Sequence, residues 1–437
     1  MSAGTTRRSM RVAVVAPCPF PSARGSQVLI RELAESLARR GNEVHVVTYS
    51  VGENLVPLRG IIVHRAGARF VARVSWLPWL VKKALSDLAL AWALWRLAKA
   101  MRFDVIHAHN YEGPVVAWLV RWVTGCPVVY HAHNVLADEL PTYFKWAPAR
   151  WFVRQVGKLL DRVVPRLADR VVALTVAQSR ALQAVGLDAS RVAVLPPPMP
   201  APSELGGSAE PPLEWSGRTV TIAYSGNFDA YQDLEVLLRG FCIFRQWHPE
   251  ALLLLVTHEQ NWRQRASWLL LSLIQQNAAQ VVVCRSFAET RPWLIRADVL
   301  VCPRSSWSGY PIKLLNYCAL GKPVVLASGA AEGIGWTYTD TVFVSGQEAS
   351  LANVLLGLAR DPKRRSAAMQ AARIFAARLV DKHTVAVELE KILQSSVVER
   401  HLQREALKNR RAYLGVDTHV ATSYKPPDDA REDEARA

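Results

Sequence analysis

The feature that most constrains the fold is a repeated alternation of short apolar runs with amphipathic helical segments. RVAVVAP, at residues 11–17, has the β-branched composition of a buried strand. SQVLIRELAESLARRG then places its apolar residues at helical spacing and ends at Gly41, before NEVHVVTYS resumes a strand. This βαβ rhythm predicts a parallel sheet with helices on both faces.

The same rhythm occurs in two series. Residues 196–212, PPPMPAPSELGGSAEPP, are rich in Pro, Gly and Ser and indicate a linker, and a second series begins with VTIAYSGN at 220–227. The prediction is an α/β protein with two Rossmann-like, doubly wound domains that face a central cleft at their strand ends. The predicted boundaries are 1–198 and 216–380 for the domains, 199–215 for the linker, 381–412 for helices that cross back to the first domain, and 413–437 for a disordered acidic tail.

The net charge and the cysteine pattern indicate the class of partner and the cellular compartment. The net charge is +16, and the tail from Tyr413 has six acids against three bases, which leaves +19 on the body. Such a field favours a polyanion: nucleic acid, an anionic membrane or a phosphorylated substrate. The six cysteines are scattered without a Cys-x-x-Cys pair, which is typical of reduced thiols in a cytosolic protein. No signal peptide or transmembrane helix is expected.

The first loop argues against a dinucleotide enzyme. A Gly-x-Gly-x-x-Gly pattern after the first strand would indicate NAD or FAD. This loop offers only Gly25. The two-domain pattern still suits a nucleotide-bearing ligand in the cleft.

Four segments resemble glycosyltransferase family 4, the retaining enzymes of the GT-B fold. They are RVAVVAPCPFPSARGSQVLIRELAESLARRGNEVHVVT, LADRVVALTVAQSRALQAVGLDASRVAVLPPP, YSGNFDAYQDLEVLLRGF and LVCPRSSWSGYPIKLLNYCALGKPVVLASGAAEGI, and they follow the family's order over roughly residues 10–395. The resemblance implies a nucleotide-diphosphate sugar as donor, no cofactor and no bound metal. It also implies attack of the acceptor hydroxyl on the face from which the diphosphate leaves, through an oxocarbenium-like centre.

The acceptor side is expected in the first domain. Gly25 and Ser26 meet the start of a helix, where amide N–H groups and the helix dipole favour a phosphate or another anion. The alternative is a plain tight turn. His133 matches, by spacing, the family's histidine that contacts the transferred sugar, and His109 ends the preceding strand on the acceptor side.

Histidines at these two strand ends also raise the question of a metal. His107 and His131 accompany His109 and His133. No carboxylate lies at ligand spacing, and the family works without a bound metal, so none is expected. A further alternative is that these histidines are hydrogen-bonded in the core.

The donor block departs from the family. Its two glutamates, spaced E-x7-E, fall here on Ser308 and Asn316. Asn316 can still accept a hydrogen bond from the ribose hydroxyls, without the added strength of a charge. Ser308 offers only a hydroxyl near the reacting centre. The Arg and Lys that the family carries after the first strand of the second domain fall on Asn227 and Gln232.

Two other cations are candidates to replace the lost charge. Lys313 opens the KLLNYCAL helix, and Arg304 ends the strand VLVCPR. The alternative is that both are solvated surface bases. The predicted catalytic residues are His133, Ser308 and Lys313, and the predicted donor-binding residues are Gly25, Gly226, Asn227, Arg304, Gly309, Lys313 and Asn316.

Two basic, amphipathic stretches suggest a membrane surface. Residues 144–170 carry seven bases against two acids, and residues 76–102 carry four Trp and five bases. Both suit an interfacial helix on an anionic leaflet. The alternative for each is a helix with its apolar face in the domain core. Nucleic acid is not an expected partner, because no recognised nucleic-acid module is present.

The function predicted is therefore a glycosyltransferase that acts on a lipid-linked or envelope polysaccharide acceptor. It would be cytoplasmic and peripheral on the inner face of the membrane. Two alternatives remain at this point. One is a sugar-nucleotide epimerase on the same fold, for which His133 is the main support. The other is a non-catalytic homologue that binds a partner at the membrane, as the changes at 227, 232, 308 and 316 would allow.

Overall fold

The computed structural model describes residues 9–22, 24–52, 58–67, 79–200 and 220–413. Most of the predicted linker, all but the first residue of the predicted acidic tail, and residues 76–78 of the first basic stretch lie outside this description. The predicted domain boundaries within those segments stay predictions.

The first domain is built on a seven-stranded parallel sheet in the order β3-β2-β1-β4-β5-β6-β7. Its strands are β1 Arg11–Ala16, β2 Glu43–Thr48, β3 Ile61–Arg65, β4 Val105–His109, β5 Val128–Ala132, β6 Arg170–Ala173 and β7 Val192–Val194. Its helices are α1 Gly25–Arg39, α2 Trp79–Met101, α3 Glu112–Thr124, α4 Leu136–Glu139, α5 Ala147–Val163 and α6 Val176–Ala184.

The second domain repeats this plan with six parallel strands in the order β10-β9-β8-β11-β12-β13. Its strands are β8 Thr221–Ser225, β9 Leu252–Thr257, β10 Ala279–Val283, β11 Val299–Cys302, β12 Val324–Ala327 and β13 Val342–Phe343. Its helices are α7 Leu234–Arg245, α8 Trp268–Gln275, α9 Phe287–Arg296, α10 Lys313–Ala319, α11 Ser328–Ile334, α12 Glu348–Arg360 and α13 Pro362–Ala377.

The predicted doubly wound α/β architecture is confirmed in both sheets. Strand β9, LLLLVT, is buried along its whole length, as expected for a strand covered by helices on both faces. The strand order reverses between β1 and β4 and between β8 and β11. A crevice opens beyond the carboxyl ends of such strands, and this places the ligand cleft between the two sheets.

A last helix, α14 Lys382–Tyr413, packs against the first domain. Arg40 forms an ion pair of 2.7 Å with Glu390 on this helix. The crossing at residue 381 lies beside the outgoing linker, because Met199 N donates to Val380 O at 2.9 Å and Met199 forms a parallel bridge with Asp381. The last described residues before the linker and the segment that returns to the first domain thus lie side by side.

Candidate functional site

A cleft of ≈ 1170 Å³ lies between the two domains. The first domain lines it with the start of α1 and with residues that follow β4 and β5. The second domain lines it with the loops after β8 and β11 and with the start of α10. Both sheets therefore point their strand ends into one space, as the doubly wound topology requires.

The start of α1 faces this cleft without a capping side chain. Its N-cap residue, Arg24, has extended backbone and gives no side-chain cap, and no acidic residue lies in the first turn. Gly25 and Ser26 both line the cleft. A Cβ at Gly25 would lie 3.4 Å from Cγ1 of Ile312, so the second domain approaches α1 closely at this point. Backbone N–H groups and the helix dipole at such a helix start favour an anion, so Gly25 and Ser26 stay candidates for an anion-binding site.

Lys313 reaches into the cleft beneath the end of β8. Its Nζ donates to Oε1 of Gln232 at 2.8 Å and lies 3.9 Å from the centre of the Tyr224 ring. Gln232 in turn donates to Asn227 Oδ1 at 2.9 Å. Burial lowers the pKa of Lys313 to about 7, and the charge of Arg304 acts in the same direction. The lysine ammonium therefore lies beside Gln232, which links it to Asn227.

Gly226 makes room for this lysine. Its φ is +144°, and a Cβ at this position would lie 2.9 Å from Nζ of Lys313. Two amides near the start of α10 already have acceptors, because Leu314 N donates to Pro311 O and Leu315 N donates to Ile312 O. An anion at this spot would meet the ammonium group of Lys313 rather than helix amides.

Arg304 also lines the cleft, and it is only 7% exposed. Its guanidinium donates to the backbone oxygen of Ser308 and to Ser306 Oγ at 3.5 Å, and lies 5.2 Å from the centre of the Tyr231 ring. Neither Arg304 nor the half-buried Lys313 is a solvated surface base, so that alternative is wrong for both.

Ser308 lies beneath the cleft rather than in its wall. It is fully buried, its Oγ donates to Val135 O at 3.3 Å, and its amide donates to Asp138 Oδ2 at 3.0 Å. Neither Ser308 nor Gly309 is among the described residues that line the cleft, whereas Asn316 is. In this arrangement a ligand would contact Asn316 directly, and Ser308 could act only through the backbone around it.

The four histidines form two hydrogen-bonded pairs on one face of the first sheet. His109 Nδ1 lies 3.0 Å from His133 Nε2, and His107 Nε2 lies 3.2 Å from His131 Nδ1. Burial lowers the pKa of His133 to about 4 and the pKa values of the other three as well. All four imidazoles are therefore neutral at pH 7. Only His133 reaches the cleft, and His109 lies behind it, fully buried.

A metal ion is a chemical possibility for three of these rings. His107, His109 and His131 bring ring nitrogens within 4.8 Å of one another. No carboxylate among the described residues joins this group, so nothing there would offset the charge of a divalent cation. The expectation of an enzyme without a metal stays a prediction.

Sequence reasoning missed the residues that join the two domains. Asp138 and Ser306 meet across the domain boundary, where Ser306 Oγ donates to Asp138 Oδ2. Tyr143 and Tyr231 also face each other, with ring centres 6.5 Å apart. No local pattern in VLADELPTY or RSSWSG distinguishes these residues from ordinary surface residues.

Comparison with known proteins identifies the two halves separately. Residues 23–200 match the model of Glycosyltransferase Family 4, and residues 219–361 match that of Glycosyl transferases group 1. The D-inositol 3-phosphate glycosyltransferase of Thermobispora bispora is 28% identical over 432 residues, covering 88% of this chain and 97% of the relative. The protein of that name from Pseudarthrobacter chlorophenolicus is 25% identical over 405 residues, covering 87% and 92%.

Solved structures share the two-domain fold at low identity. HepE from Anabaena, in complex with UDP and glucose, has a TM-score of 0.66 and 17% identity, and the match covers 88% of this chain and 100% of that chain. Sucrose-phosphate synthase from Thermosynechococcus elongatus has a TM-score of 0.71 and 16% identity, covering 88% and 98%. The predicted GT-B fold and glycosyltransferase activity are confirmed. The chain belongs to the family 4, group 1 glycosyltransferases.

Proposed function

We propose that this protein transfers a sugar, with retention, from a nucleotide-diphosphate donor to an acceptor at a membrane surface. The observation that carries the donor part is the position of Lys313. Its Nζ lies in the cleft, 2.8 Å from Gln232 and directly below Gly226. A cation there, with Arg304 nearby, is suited to the diphosphate of a nucleotide sugar.

Each group in the cleft has a part in this reaction. Lys313 and Arg304 stabilise the negative charge that develops on the diphosphate as its bond to the sugar breaks. Asn316 bonds the ribose hydroxyls, and neutral His133 orients the sugar. The start of α1, at Gly25 and Ser26, holds an anionic part of the acceptor so that its hydroxyl attacks the same face.

The structural relatives support this donor class. HepE has the same fold and has been solved with UDP and glucose and with UDP-glucose. The curated relatives are named for an inositol 3-phosphate acceptor. A phosphate on the acceptor would match the uncapped start of α1, which makes a phosphorylated acceptor headgroup the preferred class.

Helix α5 supports the membrane part of the proposal, because it turns its apolar face to solvent. Its apolar residues Trp151, Phe152 and Leu159 are exposed, whereas Gly157 and Asp161 face the domain. The alternative of an apolar face in the core is therefore wrong for this helix. An exposed apolar face flanked by arginines is typical of a helix that lies in the interface of an anionic bilayer.

Helices α2 and α3 add to the same kind of surface. Leu88 and Trp92 on α2 and Trp122 on α3 are largely exposed. Among the described residues, no helix combines the length and apolar character needed to cross a bilayer. A peripheral position on the inner leaflet, with a lipid-linked or envelope polysaccharide acceptor, fits these surfaces.

Calorimetric titration with UDP and with GDP tests the donor site. We expect one of them to bind, and Lys313→Ala to weaken its Kd by about tenfold, or about 1.4 kcal/mol. Lys391→Ala is the matched control, because this exposed lysine pairs with Glu388 on its own helix at 2.7 Å. If neither nucleotide binds the wild-type protein, the proposed donor class is wrong.

A further inference from the structure

The loop of residues 304–309, here called the donor loop, connects β11 to the segment before α10 and carries Arg304. On one side, helix α11 of the same domain packs against this loop. A Cβ at Gly329 would lie 1.8 Å from Ser305 O, and one at Gly333 would lie 2.0 Å from Trp307 O. Backbone therefore packs directly on backbone along this side of the loop.

The other side of the donor loop is confined by the first domain. Asp138 Oδ2 accepts a hydrogen bond from Ser308 N at 3.0 Å and another from Ser306 Oγ. Next to it, Gly309 has a φ of +71°, and a Cβ there would lie 2.7 Å from His133 O. One carboxylate from the opposite domain thus satisfies two polar groups of a buried loop.

These contacts lead directly to the guanidinium in the cleft. Arg304 donates to the backbone oxygen of Ser308 and to Ser306 Oγ, which belong to the same two residues that Asp138 binds. Asp138 itself is not among the described residues that line the cleft. We propose that Asp138 is a positioning residue for glycosyl transfer, which fixes Ser306 and Ser308 so that Arg304 faces the diphosphate.

Asp138 is itself supported from behind. It lies in the single turn α4, where the amides of Leu136 and Ala137 each donate to the carboxylate of Asp161 at 2.9 Å. Gly157 of α5 allows this approach, since a Cβ there would lie 2.6 Å from Ala137 N. A carboxylate on such a support has a defined position relative to the first sheet.

The arrangement makes the donor site depend on both domains. Asp138 belongs to the first domain and Arg304 to the second, so the hydrogen bonds to Ser306 and Ser308 exist only when the domains approach. A nucleotide could therefore bind to the second domain alone, while Arg304 reaches its working position after closure. This inference rests on the proposed donor chemistry, and it predicts a larger effect on turnover than on nucleotide affinity.

The test compares Asp138→Ala, Asp138→Asn and Asp138→Glu with Asp188→Asn. Asp188 caps a short exposed turn of the same domain through Ser190 N at 2.9 Å, and it serves as the matched control. Turnover is measured without an added acceptor, as hydrolysis in which water takes up the sugar and UDP or GDP is released from UDP-glucose, UDP-N-acetylglucosamine or GDP-mannose. Nucleotide affinity is measured by calorimetry. We expect Asp138→Ala to lower kcat by about tenfold with a Kd for UDP or GDP within about threefold of wild type.

Two further measurements separate positioning from general damage. Because Asp138 acts through Arg304, Asp138→Ala should add little to the loss caused by Arg304→Ala, and independent losses that multiply would overturn the proposal. Hydrogen exchange at the Ser308 amide should accelerate in Asp138→Ala and stay unchanged in Asp188→Asn. Unchanged exchange and unchanged kcat would also overturn it.

The exchange measurement distinguishes this inference from the function on which it rests. If the wild-type protein binds neither UDP nor GDP, the proposed donor class fails. Faster exchange at Ser308 in Asp138→Ala would still show that Asp138 orders the loop. If the wild-type protein binds a nucleotide and turns over a donor while Asp138→Ala matches it in exchange and kcat, only the role of Asp138 fails.

Discussion

Lys313 Nζ donates to Oε1 of Gln232 at 2.8 Å, so the first residue of α10 fills the space beside an uncharged residue that follows β8. The two residues are 81 positions apart in the chain. We predict that Lys313 supplies the positive charge that the uncharged residues after β8 do not.

Gly226→Ala should displace Lys313 and weaken nucleotide binding. A Cβ at this position would lie 2.9 Å from Nζ and 2.8 Å from the hydroxyl of Tyr224. We expect calorimetry with the nucleotide that binds to show a loss similar to that of Lys313→Ala. Gly335→Ala is the control, since Gly335 has a φ of +70° with nothing within 4 Å of its Cβ position. Equal losses in both variants would indicate backbone strain instead.

Donor affinity should decrease as pH rises above 7. Burial lowers the pKa of Lys313 to about 7 in the free protein, and a bound diphosphate favours the charged ammonium and raises that pKa. Binding then takes up a proton, so affinity falls by up to about tenfold per pH unit between the free and bound pKa values. Calorimetry with a nucleotide sugar in buffers of different ionisation enthalpy measures this uptake. Lys313→Arg should remove it, and an uptake that persists in this variant would assign the proton elsewhere.

The free protein should gain stability from Lys313 as pH rises from 7 toward 10. The folded-state pKa of about 7 lies below the unfolded value of about 10.4. The unfolded chain therefore binds more protons in this window, and the free energy of unfolding increases with pH. Denaturant unfolding of Lys313→Met should lack this rise. The difference between the two proteins isolates the lysine, and parallel pH profiles would contradict its low pKa.

The exposed apolar side chains of α3 and α5 should bind anionic vesicles. Replacing Trp122, Trp151 and Phe152 by serine should reduce sedimentation with phosphatidylglycerol vesicles by about tenfold or more. Binding should also weaken with salt, since the nearby bases act through screened charge. Trp268→Ser is the control, because Trp268 is 79% exposed but lies on the second domain. Equal binding by the triple variant and the wild type would show that this face serves another purpose.

The parts of the fold that follow from local pattern could be predicted from the sequence. Strands such as β9 and helices such as α1 are encoded by runs of adjacent residues, and their alternation defines the doubly wound sheets. The cleft could also be predicted, because ligands bind beyond the carboxyl ends of the strands in such sheets. Lys313 and Arg304 could be named as candidates because one opens a predicted helix and the other ends a predicted strand at the cleft, and their part in donor binding stays a prediction.

The remaining parts depend on contacts between distant segments. Counting placed Ser308 at the reacting centre, but Val135 and Asp138 of the other domain cover it. The helical spacing of apolar residues predicts helix α5, but this spacing alone does not show which face of the helix packs against the domain. The face with Gly157 and Asp161 packs inward because both residues contact α4. The sequence of α5 alone does not show that α4 is its neighbour.

The paired crossings at Met199 and Asp381 restrict how the domains can move. We expect two segments of chain that are bonded side by side to act as a single pivot, so that the domains open by rotation about this point. Sliding one domain along the other would break the bond from Met199 N to Val380 O. Pro198, Pro200 and Lys382 line the cleft beside the pivot. We therefore expect the gap to widen least there and most at the far rim, and a bulky acceptor to enter from that rim.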